Sequence, residues 1–83
     1  MMTENIKIPL TEAPIRKLVK LVSIKGGRSI TQRLVELGLT PGTNLKVIQD
    51  SGGPLIINVR RSKIALGRGM AEKLFVITVD GDE

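Results

Sequence analysis

The sequence predicts an all-β chain: about five short strands curled into a small barrel, with one α-helix inserted after the first long strand. Three observations predict it. Short runs rich in branched residues alternate apolar with polar, and Pro or Gly turns bound them. One stretch alone, 26–42 (GGRSITQRLVELGLTPG), has helix-period apolar spacing with signals at both ends. The chain is a single domain of 83 residues, and a few short strands with apolar faces bury their edges best by closing on themselves. The ordered core is expected over roughly 8–80.

Met1 to Lys7 is a polar lead-in without a pattern. Ile8-Pro9-Leu10 suits a short edge piece, because Pro9 lacks a ladder donor. Thr11-Glu12-Ala13-Pro14 is a turn, with Ala13 kept out of the helical region by the proline after it. Arg16 to Ile24 is the first long strand, with Val19, Leu21 and Ser23 on one side. It fits a strand covered on one face and touched by the helix on the other.

The helix follows. Ser29 with Gln32 three places on matches a capping box, which would satisfy two orphan N–H groups. Ile30, Leu34 and Leu37 share one face by their spacing; Gln32, Arg33 and Glu36 fall on the other. Gly38 is the expected left-handed residue past the end, with Leu34 and Leu39 as the apolar pair of a Schellman motif. Thr40-Pro41-Gly42-Thr43 has the residues of a type II turn.

Asn44 to Asp50 and Leu55 to Val59 alternate and are joined by Ser51-Gly52-Gly53-Pro54, which makes a hairpin. Arg61-Ser62-Lys63 is a polar joint before a short strand, Ile64-Ala65-Leu66. Gly67 to Leu74 holds a helical turn. Phe75 to Asp80 closes the chain with Phe75, Ile77 and Val79 on one face, and Phe75 and Met70 read as core filler. Gly81-Asp82-Glu83 is a tail.

Composition limits the chemistry. The chain contains neither Cys nor His, which removes thiolate and imidazole ligands and the usual general base. No catalytic residue, cofactor or tight transition-metal site is therefore expected. The three carboxylates of Asp80, Asp82 and Glu83 read as solvating groups. The net charge of +5 favours an anionic partner. Phe75 is the one aromatic residue, which disfavours single-strand binding by base stacking. Gly26-Gly27 lacks the spacing and the Lys-Ser/Thr end of a phosphate loop. The first residues have no long apolar core and no run approaches a spanning helix, so the expected compartment is the cytoplasm.

Leu34, Glu36-Leu37-Gly38-Leu39 and Pro41-Gly42, preceded by Val22-Ser23-Ile24 and Gly26-Gly27, resemble the signature of the FeoA-like family. Gly53-Pro54, Ile64-Ala65-Leu66 and Ala71 follow in the family's order. The resemblance covers roughly Leu10 to Val79 and implies an SH3-like barrel. Two positions depart from it. Pro14-Ile15-Arg16 stands where a Pro-Gly turn is common, and Arg61 where glycine is common. The resemblance implies an accessory protein of bacterial ferrous iron uptake. Such a protein would act by contact with the membrane transporter FeoB, whose cytoplasmic part holds a GTP-binding domain. A similar barrel ends repressors of the DtxR type, so a basic nucleic-acid-associated domain is the alternative.

Two basic surfaces are candidates for partner contact. One is the polar side of the helix, Arg28, Gln32, Arg33 and Glu36; the other is Arg60, Arg61 and Arg68, with Lys63. Both also have plain readings, as a solvated face and as edge protection. An arginine here reaching a partner's bound nucleotide would act as an arginine finger. No nucleic-acid recognition motif accompanies the charges. Contact with a membrane is peripheral at most, and a core this small leaves self-association open.

Overall fold

The computed structural model describes residues 6–79. The order is β1 (Ile8–Pro9), a 3₁₀ turn (Leu10–Glu12), β2 (Leu18–Ile24), α1 (Arg28–Glu36), β3 (Asn44–Asp50), β4 (Leu55–Val59), β5 (Ser62–Leu66), α2 (Arg68–Ala71) and β6 (Leu74–Thr78). Six strands form one antiparallel sheet in the order β1-β6-β2-β3-β4-β5. The mostly β, SH3-like architecture with one inserted helix is the one the sequence predicts. It has one strand more than expected, because the last strand pairs with the short β1. The lead-in's first residues, the acidic tail and the end of the predicted last strand at Asp80 lie outside the described residues.

Two bulges let so short a sheet wrap a core. Val22 is the extra residue where β2 passes β6, and Ile48 where β3 passes β4. An unpaired residue bends its strand and increases the twist. Before its bulge β2 buries Val19 and Leu21, while β3 buries Leu45 and Val47, and β4 buries Leu55, Ile57 and Val59. These join Leu10, Leu34, Leu39, Leu66, Ala71, Leu74 and Val76 in one cluster. The helix thus reaches the same core as the strands, through Leu34, with Ile30 packed against it.

The face of β6 is a correction. Leu74 and Val76 point into the core, whereas Phe75 and Ile77 are only half-buried on the opposite side. Phe75 is not core filler; Met70 does pack against the cluster. Leu74, Phe75, Val76 and Ile77 are a continuous apolar run, so both faces of the segment are apolar and alternation alone does not reveal which faces inward.

The helix ends as predicted but begins differently. Leu39 N–H donates to Leu34 O at 2.8 Å and Gly38 N–H to Val35 O at 2.9 Å, the two bonds of a Schellman motif, with Gly38 at φ +89°. Leu34 and Leu39 are both fully buried. Thr43 N–H then closes the Pro41-Gly42 turn onto Thr40 O at 3.0 Å. At the other end there is no capping box. Gly27 is the N-cap, with no side-chain cap, and Ser29 lies inside the first turn. Thr31 Oγ1 donates back to Gly27 O at 3.1 Å. Leu37, placed by spacing on the buried face, is 39% exposed because it is already the C-cap.

Three arginines have left-handed backbones: Arg16 (φ +67°), Arg60 (φ +51°) and Arg61 (φ +71°). Arg16 is third in a turn that Lys17 N–H closes onto Pro14 O. Arg60 and Arg61 are the two residues between the paired Val59 and Ser62, so the polar joint is a two-residue hairpin turn. Arg16 and Arg61 occupy the two departures from the family pattern. At both, the backbone conformation is one that glycine enters more easily.

Candidate docking surface

Helix α1 is amphipathic, and its polar side does not lie flat against solvent. Ser29, Ile30, Gln32, Arg33 and Glu36 line an open groove of about 440 Å³ together with Met70 of α2. Three of the four helix residues singled out by sequence, Gln32, Arg33 and Glu36, therefore share one concavity. Arg28 is exposed on the first turn and does not line it. Ile30 and Met70 were missed as site residues. Ile30 carried a signal, since it borders the polar face, but Met70 arrives from a distant part of the chain. Val35 and Leu37, 47% and 39% exposed, continue the helix surface with apolar area.

The second basic group separates into two kinds of residue. Arg68 is bound within the chain. Its Nη1 donates to Asp50 Oδ1 at 2.9 Å and to Gly53 O at 2.7 Å, and its Nη2 to Asp50 Oδ2 at 2.8 Å. This fork ties α2 to the β3–β4 loop, where Gly52 N–H also donates to Asp50 Oδ1 at 3.1 Å. The hydrogen bonds from Arg68 and from the Gly52 N–H hold the Asp50 carboxyl below its ordinary range. The same contact keeps the Arg68 guanidinium protonated still more firmly. Arg60 and Arg61, by contrast, stand exposed at the tip of the β4–β5 hairpin.

A second, smaller concavity of about 320 Å³ has Phe75 and Ile24 in it, with Lys7, Ser23 and Lys25 around them. Among the described residues no three carboxylates come together as a metal-binding group. The surfaces on offer are thus shallow, mixed in charge and partly apolar, which suits contact with a macromolecule better than enclosure of a small ligand.

A family model, that of the FeoA domain, matches residues 8–78. The chain belongs to the FeoA family. One relative, "Putative Fe(2+) transport protein A" of Methanocaldococcus jannaschii, is 43% identical over 68 residues, which cover 82% of this chain and 83% of that one. Among solved structures, an iron uptake regulatory protein (FeoA) superposes with TM-score 0.81 at 36% identity, covering 89% of this chain and 99% of its own. The FeoA protein of Chlorobium tepidum superposes with TM-score 0.80 at 27% identity, covering 92% and 74%. The IdeR protein of T. acidophilum also superposes, with TM-score 0.80, but at 16% identity and over 37% of its length. That likeness shows a shared barrel and nothing further. Among the described residues of this FeoA-family chain, no helix is long and apolar enough to cross a membrane.

Proposed function

We propose that this FeoA-family chain is a cytoplasmic accessory protein of ferrous iron transport. It acts by contact with the cytoplasmic, GTP-binding region of the FeoB transporter and has no catalytic chemistry of its own. The observation that carries the reading is the match of residues 8–78 to the FeoA domain, and the surface assigned to it is the groove beside α1, lined by Gln32, Arg33 and Glu36 together with Ile30 and Met70. Such a surface offers polar groups to fix register and a soft apolar floor that adapts to a partner. Ferrous iron is the transporter's cargo in this scheme, and no three carboxylates among the described residues gather to hold it.

The test is a titration of the intact chain against the purified cytoplasmic region of the transporter, with Arg33→Glu beside the parent. The parent should bind, more weakly as salt rises, and Arg33→Glu should weaken it by about tenfold, as for a contact near the centre of a patch. No binding by the parent refutes the reading. Equal binding by the two proteins moves the contact away from the groove. GTP turnover by the partner, followed in the same samples, decides whether contact also stimulates hydrolysis.

A further inference from the structure

We propose that the free edge of β5, with the Arg60–Arg61 turn beside it, is a docking strand for an extended acidic segment of a partner protein. The proposal rests on the reading above, that the chain acts by contact, and adds a second surface and the chemistry of what it takes.

The backbone comes first. β5 is last in the sheet order and pairs with β4 alone. Val59 and Ser62 flank the two-residue turn and so form a hydrogen-bonded pair. Pairs alternate from there: Ile57 with Ile64 and Leu55 with Leu66 are bonded, whereas Asn58 with Lys63 and Ile56 with Ala65 are not. Lys63 and Ala65 therefore turn their N–H and C=O groups away from β4, and no described residue bonds them. Both are exposed. The opposite edge is poorer, because β1 has two residues and one of them is Pro9. β5 is thus the edge that can accept a further strand, with main-chain bonds supplying affinity and alternate side chains specificity.

The charge selects the partner. Arg60, Arg61 and Lys63 stand together at one end of that edge, all exposed. A two-residue hairpin turn of this kind favours Asn-Gly. Two adjacent arginines there bring both left-handed strain and mutual repulsion, and among the described residues neither side chain has an ion pair or hydrogen bond to offset them. Arg68 differs on each point: its charge is consumed by Asp50. Pairing of Val59 with Ser62 imposes the turn, and charge at an edge also guards it; two adjacent arginines where Asn-Gly would sit without strain are the feature to which the proposal gives a function. Backbone groups aligned for pairing favour a peptide over a phosphate backbone as the anion, since a strand edge reads amides.

The probe is a short blocked peptide alternating glutamate and valine, labelled for anisotropy and titrated with the intact chain; its lysine–valine counterpart is the control. The acidic peptide should bind, and the control should not. The double variant Arg60→Asn, Arg61→Gly should weaken binding by roughly five- to tenfold while raising Tm by about 5 °C. Ala65→Pro removes one outward donor without touching the bonds to β4, and should lower affinity by about tenfold or more. If that variant does not fold, the double variant decides, because it is expected to be the more stable protein. Absence of peptide binding, or binding unchanged in the double variant, overturns the proposal. So does a double variant whose lost affinity is for duplex DNA instead of the peptide. A parallel titration against the transporter region separates the two readings. Transporter binding by the parent without arginine-dependent peptide binding removes this inference and leaves the proposed function standing; arginine-dependent peptide binding without transporter binding does the reverse.

Discussion

Helix α1, which lines most of the groove, stops at Gly38, and one substitution isolates that stop. Gly38 has φ +89°, and a Cβ built on it meets nothing within 4 Å. Gly38→Ala therefore causes no clash, and its effect is a backbone effect alone. An L-residue in the left-handed region costs about 1–2 kcal/mol. The alanine also narrows the unfolded ensemble, which returns about 0.4–1 kcal/mol. The net loss is about 1 kcal/mol, or roughly 4–8 °C in Tm for a domain of this size. Gly69 supplies the control. It lies within α2, has equal space for a Cβ and has no positive φ. The same exchange there should stabilise by about 0.5–1 kcal/mol, because alanine is the better helix former. Thermal unfolding followed by circular dichroism reads both. Opposite signs are expected; a Gly38→Ala protein as stable as the parent, or a Gly69→Ala protein lowered to the same extent, would refute the backbone account of the helix stop.

Four further outcomes follow from the same geometry. Asp50 has a depressed carboxyl pKa, so its contact with Arg68 stabilises the fold above the unfolded carboxylate pKa and is lost as pH falls through the lower folded value; Asp50→Asn should flatten this acid limb in Tm against pH, and an unaltered limb would deny the contact any role. Ser29→Ala should change stability by less than about 0.5 kcal/mol, against about 1 kcal/mol for a true cap, when measured by urea unfolding. Leu39→Ala should cost about 2–5 kcal/mol, since the side chain is fully buried, while Leu37→Ala, at a 39% exposed site, should cost less than about 1.5 kcal/mol. Arg16→Gly should raise Tm by a few degrees, because Arg16 has φ +67° and its 2.7 Å bond to Val47 O uses only the backbone N–H, which glycine retains.

What the sequence made legible is what local chemistry writes. Gly38-Leu39 and Pro41-Gly42 act within a few residues of themselves, so the helix stop and the turn after it could be read without any knowledge of the rest of the chain. Leu55, Ile57 and Val59 alternate in a strand with β3 on one side and β5 on the other, and their buried face was plain. The helix start was not. Ser29 and Gln32 satisfy the spacing of a capping box, yet Gly27 is already extended, with φ −81° and ψ −177°, and begins the helix before them. The sequence places the joint at Arg61-Ser62-Lys63, one residue late, because neither Arg60 nor Arg61 is a turn former; pairing of Val59 with Ser62 sets the turn at Arg60-Arg61. The groove combined legible and hidden parts. Its helix side followed from periodicity, but Met70 is brought there by β5 and α2, which no local pattern could announce.

Sorting the arginines by what holds them changes the meaning of the net charge. A formal +5 suggests a uniformly basic object, but the cations are not equivalent. Arg68 is neutralised by Asp50 and fastens a loop, so its removal would damage the fold and give a false sign of lost binding. Arg33 borders a groove with Glu36 in it, where attraction to an acidic partner is partly cancelled. Arg60 and Arg61 have no such neighbour among the described residues, and their backbone conformation would favour other residues. These two adjacent charges sit on a turn whose residues can be exchanged with the flanking strand pairing kept. Salt-dependent binding that survives exchange of Arg60 and Arg61 but falls with Arg33→Glu comes from the groove, and binding that falls with Arg60 and Arg61 but not with Arg33→Glu comes from the β5 edge. The two surfaces can therefore be distinguished by substitution before any complex is solved.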